Sequence, residues 1–465
     1  MTIRENTKPD FGTANVFTQD LSKRRVILVG AEAPEQSGLW ALEDSLSELG
    51  FLAETAGMVP VGRVTQRLKQ VNPAHYLGKG KVEELLQLKS ELGFDVVLVD
   101  DELTPSQLRN LERQMGCPIV DRTALILRVF AARARTREGQ LQVQLAQYEY
   151  LLPRLAGQWT HLERQTGGIA TRGGPGETQL EVDRRITRER IADLKRRLEG
   201  VRQHRAQYRK RRARAGLPVV ALVGYTNAGK STLFNALTSA GVLAEDRLFA
   251  TLDPTTRRVQ LEGGQTVLLS DTVGFIQKLP HSVVASFRAT LEELGEADVL
   301  VHVLDITHQQ AFEQSQAVEE VLAEMGLADK PIVTALNKID RAVSRDLGDD
   351  AEEVGSHETS LRGTLRELCR VFPHGVAVSA TRGWGLDRLL AELESVLEDH
   401  WIDVSVDIPY GRDELVALFH ERGSVKEETF ADGGTRLRGR LPRHLAEKFR
   451  PFRSDESMRR VGLSH

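Results

Sequence analysis

One octapeptide gives the clearest indication of the fold: Gly224-Tyr225-Thr226-Asn227-Ala228-Gly229-Lys230-Ser231. It fits the pattern G-x-x-x-x-G-K-[ST], in which backbone N–H groups wrap phosphate oxygens at the N-terminus of a helix. The flanking sequence agrees, because the strand-like run PVVALVG ends at Gly224 and the helical run STLFNALTSA begins at Ser231. We therefore expect a nucleoside phosphate site, with Lys230 at the β- and γ-phosphates, Ser231 as a Mg²⁺ ligand and Thr232 beside them.

Downstream of the octapeptide, the run LFATLDPTT is expected to form a loop that could close on the γ-phosphate. It contains Phe249 and Ala250 followed by Thr251, whose hydroxyl can ligate Mg²⁺ and contact the γ-phosphate. Thr255 and Thr256 are alternatives for that role.

The next motif, Asp271-Thr272-Val273-Gly274, ends the apolar run VLLS. Asp271 can hold Mg²⁺ through a water molecule, and the N–H of Gly274 can meet the γ-phosphate. Loops of this kind order around a triphosphate and relax after hydrolysis.

Two further motifs indicate the base. Asn337-Lys338-Ile339-Asp340 follows the strand-like run PIVTALN, and the Asp340 carboxylate can accept the N1–H and 2-amino protons of guanine, which adenine does not offer in that geometry. Ser379-Ala380-Thr381 follows GVAV and is expected to support the base from the other side. The five motifs occur in the order that guanine-nucleotide switches require, so we expect GTP and GDP as ligands.

Outward from this region, the chain is expected to be an α/β protein. The run RRVILVG and the runs DVVLVD and PIVD alternate with helical stretches, which favours a small domain with a parallel sheet. Although GKGK at 78–81 resembles a phosphate loop, it follows no strand, and we interpret it as the turn that begins a helix. The expected domains are a flexible N-terminus (1–20), a small α/β subdomain (21–121), a basic helical hairpin (122–216), a Ras-like P-loop GTPase domain (217–400) and a small α+β C-terminal domain (401–465).

The hairpin segment is strongly basic. Between residues 122 and 217 there are 22 Lys and Arg residues against 9 Asp and Glu, although the whole chain has a net charge of −4. Helical patterns at 122–152 and 178–212 flank a glycine-rich loop at 157–177, which we expect to become ordered when it binds a partner. The charge suits nucleic-acid phosphates, with Arg172, Arg184, Arg185 and Arg188 as candidate RNA contacts; a solvated helix face is the alternative.

The amino-acid composition indicates the general type of protein. Charged residues make up 28% and aromatic residues 5% of the 465 residues, as in ordinary globular proteins. Apolar runs end after six or seven residues, short of the roughly 18 that a membrane span needs. The two cysteines form no CxxC motif, and the N-terminus lacks the apolar core of a signal peptide, so we expect a cytoplasmic, reduced protein. We also expect the protein to be a monomer.

The run RGGPGETQLEVDRR (172–185), together with DTVGFIQKLPHSVVASFRATLEE (271–293), resembles the HflX family of ribosome-associated GTPases over about residues 21–450. The resemblance implies binding to the large (50S) ribosomal subunit and its RNA, and a role in splitting or rescuing stalled ribosomes under stress. Two departures are an additional glycine in RGGPGE and a longer, more acidic segment between NKID and SAT.

The residue after Gly274 bears on hydrolysis. Many small GTPases place there a Gln that orients the attacking water, whereas this chain has Phe275. Either the isolated protein hydrolyses GTP slowly and is stimulated by the ribosome or by a cation, or Phe275 packs internally and another local residue orients the water. Asn227 resembles the asparagine of GTPases that bind K⁺.

Two other functions remain open at this point. The chain could be an NTP-dependent RNA remodelling enzyme that also uses ATP, but its sequence contains no helicase motif set. It could also be a GTPase auxiliary to an RNA-modifying enzyme, for which the sequence offers no metal or nucleophile cluster.

Overall fold

The computed structural model describes residues 17, 19–32, 41–155, 179–214, 217–238, 248–249, 255–278, 294–346, 368–431 and 433–454. These residues form two compact units. The first unit contains the described residues up to Glu199 together with 248–249 and 274–278. The second contains the remainder, from Gly200 onward. The domain boundaries expected from sequence stay a prediction.

The first unit is built on a parallel four-stranded sheet. Its strands are β1 (Arg25–Glu32), β2 (Val59–Arg67), β3 (Val96–Val99) and β4 (Ile119–Asp121), in the order β2-β1-β3-β4. Helices α1 (Leu42–Thr55), α2 (Lys79–Leu92) and α3 (Pro105–Met115) connect them. Helix α3 begins where the sequence signals it, because Thr104 forms a capping box with Gln107 and Pro105 fills the first turn. The expected parallel α/β arrangement is confirmed, and Gly78 is the N-cap residue of α2.

The helical part of the first unit differs from expectation in one respect. The pattern at 122–152 forms two helices, α4 (Arg122–Arg133) and α5 (Arg137–Leu151), because Thr136 caps a new helix by accepting a hydrogen bond from the Gly139 N–H. Helix α6 (Gln179–Arg214) follows, and its residues up to Glu199 belong to the first unit. Its first half packs against α5 through the cluster Leu141, Leu145, Tyr148, Leu194 and Leu198. The glycine-rich loop at 157–177 lies outside the described residues.

The second unit contains a six-stranded sheet. Its strands are β5 (Val219–Gly224), β6 (Thr255–Gln260), β7 (Thr266–Asp271), β8 (Val299–Asp305), β9 (Ile332–Asn337) and β10 (Val376–Ala377). The order is β10-β9-β8-β5-β7-β6, and β6 is the antiparallel edge strand. Helices α7 (Lys230–Thr238), α8 (Ala311–Glu324), α9 (Ile339–Asp346) and α10 (Leu386–His400) accompany the sheet. The carboxyl ends of the parallel strands therefore meet at one edge, the usual ligand edge of such sheets.

A smaller antiparallel sheet ends the second unit. It consists of β11 (Trp401–Pro409), β12 (Ser424–Ala431) and β13 (Gly434–Pro442), in the order β11-β13-β12. Helix α11 (Asp413–Arg422), the short helix α12 (Arg443–Ala446) and a 3₁₀ turn at Glu447–Phe452 complete it. Val406, Phe419, Leu437 and Phe449 form its core. No helix among the described residues is long and apolar enough to span a membrane.

Candidate nucleotide-binding site

The octapeptide forms the loop between β5 and α7, and two of its glycines are required by close contacts. Gly224 has φ +146°, and a Cβ there would lie 2.3 Å from the carbonyl oxygen of Val303 on β8. Gly229 has φ +98°, and a Cβ there would lie 2.3 Å from Nδ2 of Asn337. Both contacts lie well inside van der Waals separation, so only glycine fits.

The Lys230 ammonium is held inside this loop. Its Nζ donates hydrogen bonds to the carbonyl oxygens of Gly224 at 3.1 Å and Tyr225 at 2.7 Å, and the residue is 6% exposed. Burial lowers the pKa of Lys230 to about 8, and the charge of Asp271 opposes that shift. Among the described residues, two carbonyl dipoles and the carboxylate of Asp271 stabilise this charge.

A hydroxyl and a carboxylate lie together at the ends of neighbouring elements. Ser231 Oγ at the start of α7 donates to Asp271 Oδ2 at the end of β7, at 2.8 Å. Asp271 is completely buried. The following residue, Thr272, is fixed by a hydrogen bond from its Oγ1 to the Leu222 carbonyl oxygen at 2.5 Å. Thr232 lies in the first turn of α7, and Ala228 and Val273 are buried.

Asn337 joins three loops at the same edge. Its Nδ2 donates to the carbonyl oxygen of Ala228 at 2.9 Å, and its Oδ1 accepts from the Ala380 N–H at 3.1 Å. The phosphate loop and the Ser379 loop are therefore both fixed to the end of β9.

The Asp340 carboxylate is oriented by two hydroxyls. Ser379 Oγ donates to Oδ1 at 2.7 Å, and Thr381 Oγ1 donates to Oδ2 at 3.4 Å. These bonds hold the carboxylate in one orientation, and a carboxylate oxygen can accept more than one hydrogen bond. A base with two adjacent N–H donors, as in guanine, is the complement to such a group.

Lys338 makes contacts that the sequence did not indicate. Its Nζ lies 2.7 Å from Asp305 Oδ2 and donates to the Asn227 carbonyl oxygen at 2.9 Å. Asp305 ends the buried strand β8, so its position at a strand end was the available signal. The neighbouring Ile339 begins α9.

Gln277 and Lys278, which follow Gly274, belong to the first unit and bond to charged side chains within it. Lys278 Nζ lies 2.7 Å from Asp100 Oδ2 and 2.6 Å from Asp101 Oδ1, just beyond the end of β3. Arg122 donates to Asp100 Oδ1 at 2.7 Å and to the Gln277 carbonyl oxygen at 3.0 Å. Burial alone would lower the pKa of Lys278, but the carboxylates of Asp100 and Asp101 raise this pKa above its ordinary value.

Two aromatic residues of the motifs, Phe249 and Phe275, are also buried. Phe249 contacts Phe130 edge to face, with ring centroids 4.6 Å apart. Phe275 is 2% exposed, and Ile276 beside it is 3% exposed. The Phe275 side chain is therefore internal, as one of the two sequence-based alternatives expected.

The remaining candidate residues for binding nucleotide or RNA lie in several parts of the chain. Ala250, Thr251 and Arg172 lie outside the described residues. Thr255 and Thr256 begin strand β6, where Thr256 Oγ1 donates to Ser270 Oγ at 3.4 Å. On α6, Arg185 pairs with Glu189 at 3.1 Å, Arg188 is exposed and Arg184 is half-buried.

Three family profiles match the chain: "GTP-binding GTPase N-terminal" at residues 43–131, "GTP-binding GTPase Middle Region" at 133–212 and "50S ribosome-binding GTPase" at 219–338. The GTPase HflX of Caldanaerobacter subterraneus subsp. tengcongensis is 45% identical, over 92% of this chain and 94% of that protein. The GTPase HflX of Escherichia coli K12 is 42% identical, over 86% and 90%. A GTP-binding protein from Sulfolobus solfataricus in complex with GDP aligns with a TM-score of 0.40 and 23% identity, covering 81% of this chain and 99% of that one. With identities above 40% over most of both sequences, this chain belongs to the HflX family of GTPases.

Proposed function

We propose that this chain is a GTP-dependent factor of the large ribosomal subunit, with a role in splitting or rescuing stalled ribosomes in the stress response or in ribosome biogenesis. The match of residues 219–338 to a 50S ribosome-binding GTPase profile is the observation that carries the proposal. The basic segment at 122–217 supports it, because ribosomal RNA offers a dense phosphate surface.

In this proposal, the five motifs contact the nucleotide. Lys230 pairs with the β- and γ-phosphates in place of its present carbonyl partners, and Asp340 accepts hydrogen bonds from guanine. The support comes from the carboxylate fixed by Ser379 and Thr381 and from the ammonium held within the loop.

A Mg²⁺ ion fits the oxygens present. Hard oxygen ligands suit Mg²⁺, and the Ser231 hydroxyl and the Asp271 carboxylate already lie 2.8 Å apart. Ser231 would ligate the ion directly, and Asp271 would hold it through water. When bound, Mg²⁺ neutralises charge on the β- and γ-phosphates.

Potassium is a further element of the proposal. The Asn227 side chain is exposed, and its own backbone is held at φ +61° with the carbonyl oxygen bonded to Lys338. Its side-chain oxygen would bind K⁺ beside the phosphates. Replacing Na⁺ by K⁺ at fixed ionic strength would then raise GTP turnover, and Asn227→Ala would abolish the difference; equal rates in both salts would contradict it.

Sedimentation with 30S, 50S and 70S particles tests the ribosomal role. The protein should pellet with 50S particles in the presence of a GTP analogue and less with GDP or without nucleotide, and 50S particles should stimulate GTP turnover. Lys230→Ala, which removes the phosphate-binding ammonium, serves as the control. Binding to free RNA with no preference for 50S particles, together with ATP hydrolysis, would favour an RNA remodelling enzyme instead.

A further inference from the structure

The phosphate loop contains a buried hydroxyl with no hydrogen-bond partner within the part of the chain that the structure describes. Thr226 is 6% exposed, and its Oγ1 is shielded from solvent. Leaving a buried hydroxyl unsatisfied costs stability, so a group of this kind calls for an explanation. A valine would fill the same volume without that cost.

The position of Thr226 relative to the phosphates follows from Lys230. Its Nζ lies 2.7 Å from the carbonyl oxygen of Tyr225, which belongs to the peptide group shared by Tyr225 and Thr226. The same ammonium is the group that pairs with the terminal phosphates in loops of this type. Thr226 therefore lies next to the β- and γ-phosphate end of the loop.

Among the described residues of the phosphate-binding motifs, the other candidates for orienting a water molecule are already engaged or have the wrong chemistry. Ser231 Oγ donates to Asp271, and Thr272 Oγ1 donates to the Leu222 carbonyl oxygen. Phe275 occupies the position where many GTPases have a water-orienting glutamine, and its buried ring cannot bond water. A hydroxyl, by contrast, can accept one hydrogen bond and donate another, as a glutamine amide does.

We propose that the Thr226 hydroxyl replaces the missing glutamine: it accepts a hydrogen bond from the attacking water and donates its own proton to a γ-phosphoryl oxygen. The water oxygen bonds to the γ-phosphorus as the bond to the β–γ bridging oxygen breaks. GDP leaves with that electron pair. One proton of the water stays on its oxygen, which becomes part of the released phosphate, and the other passes to another oxygen of that phosphate. Thr226 keeps its own proton throughout. The inference depends on GTP hydrolysis and is independent of ribosome binding.

Three variants of the full chain test the role. Thr226→Val keeps the shape and removes the hydroxyl, and Thr226→Ser keeps the hydroxyl and removes the methyl group. Thr334→Val is the matched control, because Thr334 on β9 is also buried and its Oγ1 has no hydrogen-bond partner among the described residues, but it is not part of the nucleotide loops. Single-turnover GTP hydrolysis, GDP affinity and nucleotide-free thermal stability are measured for each.

The hydrolysis rates and melting temperatures of the three variants distinguish a catalytic role of the Thr226 hydroxyl from a structural one. Thr226→Val and Thr334→Val should both raise the melting temperature of the nucleotide-free protein, since each removes an unsatisfied hydroxyl. Hydrolysis by Thr226→Val should fall about 10- to 100-fold, as expected for a lost hydrogen bond to charged groups, with GDP affinity unchanged. Thr226→Ser should stay within about threefold of the original rate, and Thr334→Val should match it.

Either of two results would overturn the proposal. A Thr226→Val protein that hydrolyses GTP at the original rate would show that the hydroxyl takes no part. Equal losses in Thr226→Val and Thr226→Ser would assign the effect to the methyl group and to packing. Because these measurements need no ribosomes, they are unaffected by the outcome of the sedimentation experiment.

Discussion

At the residue scale, His302 on β8 is a buried ionisable group in the core of the second unit. It is 3% exposed, and its Nε2 has no hydrogen-bond partner within the described residues. Burial, and then the charge of Lys230, lower the pKa of His302 to about 4 from an ordinary value near 6.5. Between these values the unfolded chain binds more protons than the folded protein, so stability is lost as the pH falls from 6.5 towards 4.

We therefore expect His302→Leu to reduce the acid sensitivity of the second unit. The pKa difference corresponds to a loss of about 2 kcal/mol in the free energy of unfolding between pH 7.5 and pH 5.0. Urea denaturation at the two pH values measures this loss, which should be smaller by about that amount in the variant. An unchanged loss would mean that other groups cause the acid sensitivity.

Asp340 offers a test of base recognition. Asp340→Asn would present an amide donor where the carboxylate accepts, and should change the preference from GTP to XTP. Sites that pair buried polar groups can discriminate by roughly 10⁴–10⁵. Ser379→Ala is the control, because it removes one hydroxyl that orients the carboxylate but keeps the acceptor, so guanine should remain preferred. Unchanged GTP affinity in Asp340→Asn would contradict the assignment.

Sequence could place these residues because each motif ends an apolar run, and parallel strands end at one edge of a sheet. It could not show that Asn337 bonds both Ala228 and Ala380, nor that the Thr226 hydroxyl has no partner in the part of the chain that the structure describes. Those properties depend on contacts between segments that are distant in sequence.

At the scale of elements, some strands and helix ends could be predicted from local sequence and others could not. Strand β1 was predictable because six consecutive residues are buried on both faces of the sheet. Strand β2 was not, because it is an edge strand that tolerates Pro60, Gly62 and several polar residues. The break between α4 and α5 contains no glycine or proline, and only the cap formed by Thr136 marks it.

The tie between Lys278 and the end of β3 gives a prediction at this scale. Asp100 is completely buried, and Lys278 and Arg122 are its two cationic partners among the contacts described above. Lys278→Met should lower the free energy of unfolding by about 1–3 kcal/mol, because part of the charge of Asp100 is left uncompensated.

The control is a surface ion pair in the same unit. Arg67 on β2 lies 3.0 Å from Glu32, and its side chain is 88% exposed. Arg67→Met should therefore cost less than about 0.5 kcal/mol. Urea denaturation compares the two variants, and equal losses would show that the burial of Asp100 does not strengthen its pairing with Lys278.

At the scale of the whole molecule, charge is separated along the chain. The segment 122–217 is strongly basic, although the total charge is −4. In α6 some of these charges are already compensated, since Arg185 pairs with Glu189 and both Arg196 and Arg197 pair with Asp193. All of these pairs are exposed or half-exposed, where a phosphate can compete with a carboxylate for the guanidinium.

Charge reversal on α6 should therefore weaken binding to the large subunit. Arg188→Glu alone, and more strongly with Arg184→Glu and Arg185→Glu, should reduce affinity and lower the slope of log affinity against log salt by roughly 0.7–0.9 per lost phosphate contact. Arg109→Glu is the control, because it makes the same charge change at an exposed position of α3, outside the basic segment. Nucleotide affinity should not change. If loss of the pair with Glu189 destabilised the helix instead, circular dichroism would show it in the triple variant but not in Arg188→Glu. A folded triple variant that binds 50S particles with an undiminished salt slope would exclude α6 as the RNA contact.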